Sequence, residues 1–77
     1  MNKEIYINAF IESLQIDEDI DFEELKYRDY SWDSVAHMVL ITVLEDVFDI
    51  QMDTDDVIDF SSYKKGIEIL SKYGIII

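Results

Sequence analysis

The chain has 77 residues, enough for one domain of ordinary size spanning positions 1–77. It carries 18 acids against 6 bases, one His and no Cys, which excludes disulfides, a thiolate zinc site and a His-rich metal or catalytic cluster. A net charge of −12 repels nucleic acid and anionic membrane surfaces and steers the chain toward basic protein surfaces.

Packing alone must hold such a fold, and an apolar share of 49% suffices for one core. Pro is absent and Gly occurs twice, which argues against a turn-rich β-sandwich and for an all-α domain. No apolar run approaches the ~20 residues of a membrane helix. Met1-Asn2-Lys3-Glu4 opens no secretory pattern, so cytoplasm is the expected compartment.

Residues 3–14 read as the first helix. Glu4, Asn8 and Glu12 form a polar row, with Tyr6, Ile7, Phe10, Ile11 and Leu14 opposite. Residues 15–32 form a long connection. Its Ile16, Ile20, Phe22, Leu25, Tyr27, Tyr30 and Trp32 predict a path across the core, and Asp21-Phe22-Glu23-Glu24 predicts a short helical turn with capping-box character.

Residues 34–48 are the strongest helix, with Ala36, Leu40, Val43, Leu44 and Val47 as its apolar stripe. Asp33 or Ser34 caps it. With Asp33 as cap, Trp32 and His37 stand where a hydrophobic staple forms. Residues 54–59 predict a short third helix whose start is crowded by Asp53, Asp55 and Asp56, as its dipole favours. Residues 62–73 form the last helix, with Tyr63, Ile67, Leu70 and Tyr73 on one face. Ser61 or Ser62 caps it, Gly74 ends it, and Ile75-Ile76-Ile77 folds back onto the core. The sum is a small irregular four-helix bundle with a long first loop and a short third helix.

Charge is unevenly spread. Between Asp29 and Tyr63 there is no Lys or Arg, while Asp29, Asp33, Glu45, Asp46, Asp49, Asp53, Asp55, Asp56 and Asp59 all lie there. The strongest helix and the short one after it thus share one acidic surface that begins with an Asp-Ser pair.

Trp32-Asp33-Ser34-Val35, then Leu44-Glu45-Asp46-Val47-Phe48-Asp49-Ile50, then an acidic short helix and a final amphipathic one, resemble acyl carrier proteins over nearly the whole chain. The resemblance implies that Ser34 accepts 4′-phosphopantetheine from coenzyme A, transferred by a separate magnesium-dependent phosphopantetheinyl transferase that Asp33 helps to engage. Acyl groups would then ride as thioesters on the arm and be presented to loading and transferring enzymes. The carrier itself, expected as a monomer, is not an enzyme. Val35, Met38, Thr42, Glu45 and Asp46 match positions that family members present to basic grooves of partner enzymes, and Val57 extends that face. The family often has Leu where Val35 stands and an acid where Val39 stands. His37 is not typical of fatty-acid-synthesis carriers, so the pattern looks more like carriers of a specialised pathway.

Plainer assignments compete with these. An isolated Asp-Ser pair is most often only a helix cap. His37, with no second His or Cys, is more a structural or docking residue than a ligand or base. Trp32 and the tyrosines read as core rather than base-stacking platforms. Asp17, Asp19 and Asp21 match the first three ligands of a calcium loop, but Phe22 replaces its Gly and Arg28 its closing Glu. The alternative of another class is an unmodified acidic module that binds a basic partner surface.

Overall fold

In the computed structural model, which describes residues 1–77, four helices follow in order: α1 (Asn2–Leu14), α2 (Ser34–Phe48), α3 (Thr54–Asp59) and α4 (Tyr63–Ser71). A 3-10 turn at Phe22–Glu24 lies in the connection between α1 and α2. There are no strands, only an isolated bridge pairing Lys26 with Ser62. The radius of gyration, 11.1 Å, matches the roughly 11.5 Å of a compact chain of this length, so the connection does not wave free.

Aromatic rings from all parts of the chain make the centre of the core. Tyr6 and Phe10 of α1 meet edge-on at 5.1 Å, and Phe10 meets Trp32 of the connection at 5.3 Å. Tyr63 at the head of α4 lies 4.9 Å from Tyr6. Such pairs contribute about 0.5–1.5 kcal/mol each beyond the area they bury. Burial pushes the Tyr6 phenol well above its ordinary value, and the hydroxyl stays satisfied by donating to the Tyr63 carbonyl at 2.7 Å. Gly66 of α4 faces this cluster, where an added Cβ would meet the Tyr6 hydroxyl and the Phe60 ring.

The long connection packs as its apolar residues predict, with one exception. Phe22, Leu25 and Trp32 are buried, while Tyr30 is 67% exposed. Ser31 Oγ donates to the Leu14 carbonyl, fastening the end of the connection to the end of α1. The bridge fastens its middle, because Tyr27 N–H donates to Ser61 and Tyr63 N–H donates to Leu25, both at 2.9 Å. The expected short helical turn forms at Phe22–Glu24, without the expected cap. It is a single 3-10 turn, and Asp21 makes no side-chain cap.

On α2 the core-facing stripe is Leu40, Ile41 and Leu44, with His37 and Phe48 half-buried along the same line. Val47, expected on that stripe, is 46% exposed, and Ile41 replaces it. The cause is composition. Only Glu45 and Asp46 are charged among the fifteen residues of α2, so apolar side chains surround the helix and periodicity points in more than one direction.

Both ends of α4 form as expected. Ser62 Oγ accepts from Lys65 N–H at 2.9 Å. Gly74 takes φ +82°, while Ile75 N–H reaches Leu70 and Gly74 N–H reaches Ser71, the pattern of a glycine-ended helix. Ile75 is buried and the Asn2 side chain donates to the Ile76 carbonyl at 3.1 Å, so the tail does return to the core. No helix is long and apolar enough to cross a membrane.

Candidate functional site

The head of α2 carries the site. Asp33 is its cap: extended, with Oδ1 accepting from Ala36 N–H at 2.9 Å. Ser34, the first helical residue, therefore has a hydroxyl that the cap does not use, and it is exposed. The backbone N–H groups of Ser34 and Val35 have no intrahelical acceptor, as at any helix start, and carry the positive end of the helix dipole.

Two apolar depressions meet at Ser34. One is an open groove of about 640 Å³ running along α2 past Val35, Met38, Val39 and Thr42 to Val43. Its walls are unusually apolar for a solvent-facing helix surface, with Val35 73% and Met38 55% exposed. The other is a cleft of about 330 Å³ between α2 and α3. Tyr27, His37, Met38, Val57, Ile58 and Phe60 line it, with Ser61 at its edge. Ser34 and Met38 belong to both depressions.

His37 forms the cleft floor. Trp32 Nε1 donates to His37 Nδ1 at 3.0 Å, and His37 Nε2 lies 2.8 Å from the Val57 carbonyl. The indole N–H is only a donor, so Nδ1 must offer a lone pair and Nε2 must carry the proton that Val57 accepts. The two rings lie edge to edge and nearly coplanar, centroids 5.9 Å apart and planes 21° apart, as a bond between two in-plane nitrogens requires. The expected staple is thus present, strengthened by a hydrogen bond. Behind the imidazole stand Trp32 and Phe60, both buried core residues.

Not all sequence-expected residues gather here. Val35, Met38 and Thr42 share the groove with Ser34, and Val57 lines the cleft. Glu45 and Asp46 line neither. Asp46 is exposed, but Glu45 is half-buried and its Oε2 accepts from Met52 N–H at 2.8 Å, tying the end of α2 to the next connection. Asp56, expected to serve the α3 dipole, is buried instead. Lys72 and Tyr73 both donate to it at 2.6 Å, and these bonds, Lys72 first, hold its carboxyl below the usual carboxylate range. In return Asp56 raises Lys72 and Tyr73 above their ordinary values.

No family model, curated protein or solved structure matches this chain.

Tyr27, Ile58 and Ser61 are site residues that the sequence alone did not single out. Ile58 had a signal, an apolar residue among the acids of α3, where it is 72% exposed. Tyr27 and Ser61 had none, because the bridge between distant segments brings them to the cleft. Nowhere do three or more His, Cys, Asp or Glu side chains converge as a metal-ligating set.

Proposed function

We propose that this protein is an acyl carrier of the phosphopantetheine type, an irregular four-helix bundle whose working group is an arm on Ser34. One observation carries the proposal: the hydroxyl of Ser34 is exposed and free of the cap, at the point where two apolar depressions meet. Had Ser34 been the cap, its oxygen would be committed to a backbone N–H. Asp33 takes that duty and leaves Ser34 free to be modified without loss of the helix start.

The residues present fit the group. In the transfer, Ser34 Oγ would form a bond to the phosphorus of the pantetheine half of coenzyme A. The phosphoanhydride bond would break, the nucleotide bisphosphate would leave, and the hydroxyl proton would pass to the transferase. The resulting phosphodiester would sit at the N-terminus of α2, where free N–H groups and the dipole favour an anion. When bound, the arm supplies a thiol that holds acyl groups as thioesters. The chain's own task is to hold and present it. Val35, Met38, Val39 and Val43, with Thr42 among them, form a largely apolar row beside it for a partner enzyme to cover. Asp46 and the exposed acids of α3 would orient partners whose docking surfaces are basic.

Intact mass tests this directly. The protein and Ser34→Ala are incubated with coenzyme A, magnesium and a broad-specificity phosphopantetheinyl transferase. A gain of one phosphopantetheinyl group in the wild type alone is expected. No gain, with a known carrier modified in parallel, would move the assignment to an unmodified acidic module that binds a basic surface through the same row.

A further inference from the structure

The cleft between α2 and α3 lies beside Ser34, yet its floor is closed by a hydrogen-bonded chain. Trp32 Nε1–H donates to His37 Nδ1 and His37 Nε2–H donates to the Val57 carbonyl. Those three residues belong to the connection, to α2 and to α3 in turn. The imidazole is therefore a bracket between α2 and α3, nearly coplanar with the indole it is bonded to. Tyr27 meets its ring edge-on at 5.8 Å from the cleft side and Phe60 meets it at 6.1 Å. Every polar atom of the ring is used, and opening this floor would expose an indole N–H and a backbone carbonyl together.

We infer that the Trp32–His37–Val57 chain is a latch that selects cargo: it keeps α3 shut against α2 and bars a long alkyl chain on the Ser34 arm from entering the core. The inference rests on the carrier assignment for Ser34. The substrate class it names is short or polar acyl groups, held outside the core and at most resting in the shallow cleft. A long alkyl chain would have to break two hydrogen bonds and displace the imidazole from between Tyr27 and Phe60 to reach the aromatic cluster. His37 is a positioning residue here, since it acts through α3 and the indole.

The test loads the holo-protein with a butyryl or a dodecanoyl group, with intact mass establishing each load. The thermal midpoint and the amide spectra of Leu44, Phe60 and Leu70 are then compared. In the wild type, the midpoint is expected to be the same for both cargoes and the core amides unmoved. His37→Leu keeps bulk but neither hydrogen bond, and there the dodecanoyl form should melt roughly 5 °C or more above the butyryl form as methylenes find burial. His37→Gln, with one acceptor and one donor on its amide, should restore length-independence. A wild-type midpoint that climbs with chain length, together with shifted core amides, overturns the latch and leaves the carrier assignment standing. Failure of Ser34 to gain mass overturns both. Imidazole nitrogen spectra of the unloaded wild type add a readout that no variant's folding affects. A proton on Nε2 and none on Nδ1 is expected, and a proton on Nδ1 removes the latch.

Discussion

The hydroxyl of Tyr73 donates to the Asp56 carboxylate at 2.6 Å while accepting from Asp53 N–H at 2.9 Å, so one side chain beyond α4 holds both the start and the middle of α3. Lys72 completes the arrangement with an ion pair to the same carboxylate. Six residues are too few for a helix to persist by its own propensity, so α3 depends on such anchors.

This anchor predicts the response to acid. The folded-state value of Asp56 lies below its unfolded value, through the Lys72 and then the Tyr73 hydrogen bonds. Its stabilisation is therefore complete above the unfolded value, about 3.9, and is lost as pH falls through the lower folded value. Thermal melts from neutral pH downward should show a loss below about pH 4 that Asp56→Asn makes shallower. The alkaline side runs oppositely. Lys72 and Tyr73 are raised in the fold, so their contribution is present at neutral pH and is lost as pH rises above about 10. Equal acid limbs in wild type and Asp56→Asn would disprove the anchor.

Asp33 and Ser34 should separate cleanly on mutation. Asp33→Ala removes the cap and is expected to cost about 1 kcal/mol in urea unfolding. Ser34→Ala touches an exposed hydroxyl outside the cap and should stay within about 0.5 kcal/mol of wild type. A reversed order would mean that Ser34 is the cap.

Gly66→Ala should destabilise despite the helix propensity it adds. Propensity favours Ala by about 1 kcal/mol. Against that, the new methyl meets the Tyr6 hydroxyl and the Phe60 ring, and overpacking of this kind costs about 1–3 kcal/mol. A lower urea midpoint is expected, and an unchanged or higher one would show that the two rings step aside.

Salt should stabilise the fold. At 0.01 M salt the screening length is about 30 Å, longer than the 27 Å extent of the molecule, so all 18 acids repel one another. At 0.15 M it is about 8 Å and only neighbours interact. The melting temperature should rise across that range; a flat or falling trend would count against self-repulsion as the governing effect.

The sequence disclosed the helices well, because caps and breakers are local. Asp33, Ser62 and Gly74 act within a few residues of themselves. On the core face of α2, Ala36, Leu40, Val43 and Leu44 were read correctly, but Val47 was named where Ile41 is buried, because the two are equally apolar and only the neighbouring helices decide which is covered. Asp56 looked like one more surface acid because its partners lie 16 and 17 residues later. Of the candidate site, Ser34, Asp33 and the row along α2 were legible. The cleft was not, since a backbone carbonyl forms half of its latch and the bridge from Lys26 to Ser62 brings one wall to it.

That bridge has a consequence for where the chain tolerates change in length. Tyr27, a wall of the cleft, has its backbone hung on Ser61, and Leu25 is hung on Tyr63. Upstream, Asp17, Glu18 and Asp19 are exposed, and their backbone makes no hydrogen bond to another helix. Loop closure grows dearer only logarithmically with length. Residues inserted at Asp17–Asp19 would thus be absorbed as slack, and the geometry around Ser34 would be inherited unchanged by the lengthened chain.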